Sequence, residues 1–313
     1  MTRWFPRLLA ALAIATLAAC GGDDDPPPAN LAEVAQANGF TALTAAATKA
    51  GLVSTLTSAS ANLTVFAPTN AAFNTLATQL GFADATAMVN ALPAPALANI
   101  LSYHVLGARK SAADLAAGGS TQATAYTFDG APARLTLNTS SGVTITDAVL
   151  TNARVTTADV PASNGVVHAI DKVLVPPGVL NIVQMAQANP AFSTLVGAVV
   201  TANLQGTLSG TGPFTVFAPT NDAFAAIAST VAGLTPPQLT TVLTYHVLSG
   251  QVLSSQIPFG TPVNTVSGQA LTVNASPLSI TDTTATPAPI VATDVRASNG
   301  VIHVIGKVLI PTL

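Results

Sequence analysis

From Leu31 to Leu56, and again from Leu180 to Leu204, apolar residues recur three and four positions apart on an Ala-rich background. That spacing gathers them on one side of a helix, so both stretches are predicted helical. Thr64-Val65-Phe66 and Thr215-Val216-Phe217 are short β-prone runs halted by Pro68 and Pro219. Thr69-Asn70 and Thr220-Asn221 then offer helix N-caps. Further along, the pattern turns to period two at Leu135-Thr136-Leu137, Val143-Thr144-Ile145 and Val166 to Ile170. The same occurs at Leu271-Thr272-Val273 and Ile302 to Ile305, which predicts strands. Asn164-Gly165 and Asn299-Gly300 suit tight hairpin turns, because both residue types tolerate positive φ. Helices first and an antiparallel-type sheet second make an α+β arrangement.

The arrangement is written twice. TVFAPTNAAF at 64–73 matches TVFAPTNDAF at 215–224 at nine of ten positions, and SYHVL at 102–106 matches TYHVL at 244–248. ASNGVVHAIDKVLVP at 162–176 matches ASNGVIHVIGKVLIP at 297–311 at eleven of fifteen. The copies also open alike, with VAQANGFTAL at 34–43 and MAQANPAFSTL at 185–195. The offset shrinks from 151 to 142 to 135 residues along the copy while the motif order is kept, as loop deletions would produce. Two domains are expected, at 30–177 and 178–313, joined through Val175-Pro176-Pro177-Gly178 with almost no spare chain and therefore semi-rigid.

Ahead of them, Arg3 and Arg7 precede an apolar run from Leu8 to Ala19 that ends in Leu17-Ala18-Ala19-Cys20. A basic start, an apolar stretch too short to span a bilayer and small residues before a cleavage point are the layout of an export signal, here 1–19. Leu-Ala-Ala-Cys resembles the bacterial lipobox, which implies a diacylglyceryl thioether on Cys20, the chain's one cysteine. Gly21-Gly22-Asp23-Asp24-Asp25-Pro26-Pro27-Pro28 cannot bury apolar surface and is held extended, so 20–29 is expected to be a tether. Gly21 after the cysteine, rather than Asp, directs the expectation to the outer membrane, on its periplasmic or surface face, if the host is Gram-negative.

Charge narrows the function. Only 7% of residues are charged and the net charge is −3, falling to −5 once Arg3 and Arg7 leave, with no basic cluster to neutralise phosphates. Nucleic acid is therefore not expected as a partner. The four histidines fall in matched pairs, His104 with His246 and His168 with His303, so a repeated structural hydrogen bond is the first expectation for them. No His-x-x-x-His or Cys spacing suggests a metal site, and no cofactor is expected. Ser163 near His168 lacks a Gly-x-Ser-x-Gly elbow, so no enzyme is expected. Asp159 and Asp294 fit equally as partners of the nearby histidines and as strand-end or capping residues. Phe66, Phe73, Phe217 and Phe224 are expected in the core. Trp4 lies in the signal and only three tyrosines occur, few aromatic platforms for a glycan.

TVFAPTN with its following Phe, the YHVL segment and the closing ASNGVxHxIxKVLxP together resemble the fasciclin domain, twice over, across about 30–312. The resemblance implies, in each copy, helices packed around an antiparallel β-sandwich or wedge. It also implies a secreted or membrane-tethered module for adhesion or for binding a protein or matrix component. In some animal members the Tyr-His region is linked to integrin binding, and that region falls here on Tyr103, His104, Tyr245 and His246. Ala71 departs from the acid that Asp222 supplies, and Gly306 replaces Asp171, so no role of those acids is common to both copies. The alternative expectation is a carrier of a small apolar ligand in a crevice between helices and sheet.

Overall fold

The computed structural model describes residues 28–313; the predicted signal, Cys20 and most of the tether lie outside them. The first half runs α1 (Leu31–Ala37), α2 (Thr41–Lys49), α3 (Val53–Thr57), β1 (Leu63–Pro68), α4 (Asn70–Gln79), α5 (Ala85–Ala91), α6 (Ala94–Tyr103), β2 (Val105–Leu106) and α7 (Ala112–Ala117). It closes with β3 (Thr121–Phe128), β4 (Ala131–Asn138), β5 (Thr144–Thr146), β6 (Asn152–Ala162) and β7 (Gly165–Ile170). The second half repeats the plan with α8 (Ile182–Gln187), α9 (Ser193–Thr201), α10 (Gln205–Leu208), β8 (Phe214–Pro219), α11 (Asn221–Ala225), α12 (Ala228–Ala232), α13 (Pro236–Tyr245) and β9 (Val247–Ser249). Then follow β10 (Pro262–Asn264), β11 (Ala270–Ala275), β12 (Leu278–Thr281), β13 (Ala288–Ala297) and β14 (Gly300–Ile305).

The first predicted helical stretch is three helices. Asn30 opens α1 with a capping box to Glu33, the chain reverses at Gly39 with φ +73°, and Gly51 at φ +72° separates α2 from α3. In the second half Pro190, which has no N–H to offer, interrupts the run between α8 and α9. Thr69 and Thr220 cap α4 and α11 as their sequence context predicts, each accepting a backbone N–H.

Each half holds a seven-stranded sheet, in the orders β2-β1-β7-β6-β5-β4-β3 and β10-β11-β12-β13-β14-β8-β9. All neighbours are antiparallel except β1 with β7 and β8 with β14, which run parallel. The long helical excursion between them supplies the crossover that a parallel pair needs. These central strands do not alternate in burial: β7 and β14 are buried at every position. One face of the pair, with Val65, Ala67 and Val167, meets the helices, and the other, with Phe66 and Ile170, fills the wedge interior with Tyr103, Leu135 and Ile145. The period-two pattern belongs to the outer strands, where β3 alternates along its length.

The Asn-Gly pairs act differently from a two-residue turn at positive φ. β6 and β7 pair Ala162 with Gly165, so Ser163 and Asn164 form the loop and Gly165 opens the strand. Asn164 is buried; its side-chain oxygen accepts from Leu31 N–H at 2.9 Å and its amide donates to the Leu56 and Ser58 carbonyls, both at 2.9 Å. Asn299 repeats this with Ile182, Leu208 and Gly210. Glycine is required at Gly165 because a Cβ there would stand 2.3 Å from the Leu63 carbonyl oxygen of β1. Asn164 thus fastens α1 and α3 to the sheet. Asn164→Ala is expected to cost about 2 kcal/mol, since one buried and two half-buried backbone groups lose their partner; urea unfolding with an unchanged m-value measures it.

Candidate functional site

Tyr103 closes α6, and its 1% exposure is what the hydroxyl's bond to the Arg134 carbonyl on β4, at 3.0 Å, would lead one to expect of a core residue. Tyr245 does the same with the Ala270 carbonyl of β11 at 2.9 Å. Burial, followed by the nearby charges of Asp147 and Asp282 respectively, pushes both phenols upward from their usual value. His104 and His246 are the C-caps of α6 and α13. The Nε2 of His104 accepts from Leu174 N–H at 2.8 Å, so its proton sits on Nδ1 and donates to the Ile100 carbonyl at 2.7 Å. His246 bridges Leu309 N–H and the Val242 carbonyl at 2.9 and 2.8 Å. Burial pulls both imidazoles from 6.5 down to about 4, partly opposed by those helix carbonyls. All four Tyr-His side chains therefore lie inside the folded domains and spend their polar atoms on backbone.

His168 and His303 are also buried. Each accepts from the backbone N–H of Asp159 or Asp294 and donates to the Lys110 or Val252 carbonyl, while stacking on Phe66 or Phe217 at 5.7 Å. Asp159 and Asp294, at φ +58° and +60°, are capping residues, their carboxylates taking the N–H of Ala112 and Ser254 at 2.8 Å. Ser163 is exposed in its turn, and no hydrogen bond joins it to His168 among the described residues. Also among those residues, no group of three or more His, Cys, Asp or Glu could hold a metal, and no helix is long and apolar enough to cross a membrane.

A feature not singled out from sequence is a buried carboxylate in each half. Asp147 is fully buried and accepts Lys172 Nζ at 2.6 Å, Val175 N–H at 3.0 Å, and the N–H and hydroxyl of Thr151 at 3.1 and 3.0 Å. Asp282 takes Lys307 at 2.9 Å, Ile310 N–H at 2.9 Å and the N–H and hydroxyl of Thr284 at 2.9 and 2.6 Å. Burial raises the Asp282 carboxyl, but the bonds from Thr284, Ile310 and Lys307 outweigh it and hold the group below its ordinary value. The signal was available: Ile-Thr-Asp occurs at 145–147 and again at 280–282, in register with the closing lysines.

The two halves are bonded across their junction. The Arg296 guanidinium of β13 pairs with Asp129 at 2.9 Å and lies 5.1 Å over the Phe128 ring. Asn189 donates across to the Val149 carbonyl at 2.8 Å, while the connecting residues are tied to their own sides, Pro177 by Tyr126 at 3.0 Å and Gly178 by the Arg296 carbonyl at 2.9 Å. Tyr126, Phe128 and Asp129 belong to the β3–β4 hairpin, whose second-half counterpart is much shorter. On another side of the junction, α4, the loop 147–152, residues 171–173 and Pro190 surround a cleft of about 400 Å³. The crevices between helices and sheet, beside His104 and His246, enclose only about 40 and 30 Å³ of apolar space. Those are far below the ~300 Å³ at which ligand sites begin.

The fasciclin domain family model matches residues 38–176 and again 190–311. A Synechocystis protein, sll1483, is 46% identical over 139 residues, 43% of this chain and 75% of that protein. The cell surface glycolipoprotein MPB83 of Mycobacterium bovis is 38% identical over 134 residues, 40% of this chain and 58% of its own length. A solved FAS1 domain pair from the insect cell adhesion molecule Fasciclin I covers 90% of this chain and 95% of that one, at 19% identity and a TM-score of 0.41. The chain belongs to the fasciclin domain family and carries two such domains in tandem. Domains of this family occur in cell adhesion and extracellular matrix proteins.

Proposed function

We propose that this is a lipid-anchored envelope protein whose two fasciclin domains bind a protein or matrix component at or beyond the cell surface. The observation that carries the reading is the tandem itself: two domains of an adhesion-associated family in one chain, joined by the Arg296–Asp129 pair. Linked modules raise the effective concentration of the second contact, so weak single-domain binding suffices to hold a surface. Leu17-Ala18-Ala19-Cys20 supports a lipid on Cys20, and the similarity to a cell surface glycolipoprotein agrees with it. The same reading places the anchor in the outer membrane of a Gram-negative host. Tyr103, His104, Tyr245 and His246 act on partner binding from within, by setting the surface that α6, α13 and the strands beside them present.

Two measurements test this. A Cys20→Ala chain expressed in its host is expected to lose incorporation of an alkyne-labelled palmitate and to leave the membrane fraction. The tandem, produced from residue 21 onward, is expected to be retained on fixed cells or matrix about tenfold better than either domain alone. Equal retention of one domain and two removes bivalence from the reading.

A further inference from the structure

The loop 147–152 shows which residues the fold demands and which it does not. Asp147 and Lys172 recur as Asp282 and Lys307, doing the same work in both domains. At matching positions the first domain has Leu150, Asn152 and Asp171 where the second has Ala285, Pro287 and Gly306. These three residues, peculiar to the first domain, all line the 400 Å³ cleft. Leu150 is the most telling. It holds φ +63°, a left-handed backbone that a bulky side chain adopts at a cost, and it leaves that side chain 44% exposed. Strain of this kind concentrates at binding and switch sites. With Leu76, Val173 and Pro190 it forms an aliphatic slot.

The polar groups around the slot limit what it takes. Lys172 is occupied by Asp147 and Thr151, so no free cation is offered to a phosphate or carboxylate. No aromatic ring lines the cleft, so neither a base nor a sugar finds a stacking face. What remains are two side-chain amides and one carboxylate. The Gln79 side chain makes no hydrogen bond among the described residues, and the Asn152 side chain uses only its oxygen, toward Thr146. Asp171 accepts from Arg154 N–H through one oxygen and has no ion-pair partner among the described residues. Amides that both donate and accept are complementary to peptide backbone, and the unpaired carboxylate is complementary to a cation. The geometry points to the interdomain cleft as a site for an extended peptide segment of a protein partner, with an aliphatic side chain in the slot and a basic residue beside it at Asp171. This rests on the protein-binding reading above and names its site.

The test is titration of the two-domain chain with a blocked pentapeptide holding a central leucine–lysine pair, followed by amide chemical shifts. The same peptide with glutamate for lysine, and a Leu150→Ala/Asp171→Gly double variant, run alongside. The substituting residues are those at the matching positions of the second domain, and thermal melting checks that the fold is retained. Expected are saturable shifts confined to the cleft, weakened about tenfold by either change. Shifts elsewhere, none up to millimolar peptide, or equal binding by the double variant would overturn the cleft as a peptide site. A chain that takes no peptide yet is still retained on its surface leaves the adhesion reading standing. One that binds peptide but no surface does the reverse.

Discussion

Replacing Asp147 with alanine is expected to destabilise the first domain by about 4 kcal/mol, enough to unfold it at modest denaturant concentrations. The carboxylate is fully buried and satisfies the Lys172 ammonium, the Val175 N–H, and the N–H and hydroxyl of Thr151. An alanine leaves that charge without a counter-ion and those donors without acceptors, and removing one member of a buried pair costs more than the pair ever contributed. Val175 leads directly into the junction, so the damage should also loosen the contact with the second domain. Asp282→Ala is expected to act likewise on the second domain, through Lys307 and Ile310. Two-probe guanidinium unfolding of the tandem measures both; a loss below about 1 kcal/mol for either variant would show that water replaces the carboxylate.

Acid provides the second large effect. His104 and His246 are neutral in the fold because burial holds them at about 4, whereas the unfolded chain leaves them near 6.5. The unfolded state therefore binds a proton first as pH falls. The stability each histidine supports is complete above about pH 6.5 and drains away down to about 4, where both states are protonated and the loss stops. The total is about 3 kcal/mol per domain, with some 2 kcal/mol gone by pH 5. Below that, protonation of Asp282, whose carboxyl is held below its ordinary value, adds a further loss in the second domain. Urea midpoints between pH 7.5 and 4 measure this, and a flat profile from 7 to 5 would rule out neutral, buried histidines in the fold.

Much of this was legible in the chain. The helix caps at Thr69 and Thr220, the helical first half, the outer strands and the doubling of the unit follow from local chemistry that the sequence displays directly. What periodicity could not show was the parallel pairing of β1 with β7, since a strand buried on both faces reads as a plain apolar run and carries no mark of its neighbour. Asn164-Gly165 was readable as a turn, but not as an anchor for α1 and α3, because its partners Leu31 and Leu56 are more than a hundred residues away. The Tyr-His motif stands out in the sequence for a reason that belongs to packing. Each side chain closes a helix end and satisfies backbone groups from distant strands and loops. Asp147 carries no local mark in the sequence, because an isolated acid in a polar stretch resembles a solvated one and only its register with Asp282 sets it apart.

A head-to-tail contact between like units normally has no natural end: if the rotation does not close, copies add without limit into a fibre. Here the contact needs a long hairpin bearing Phe128 and Asp129 on the leading unit and Arg296 on the following one. The second domain has the short hairpin, and at the position matching Arg296 the first domain has Pro161. The trailing face of one chain thus lacks the groups that would dock on the leading face of another. Divergence between the copies makes the seam directional: this pairing of Asp129 and Phe128 with Arg296 joins the two domains of one chain and is not offered again by their outer faces.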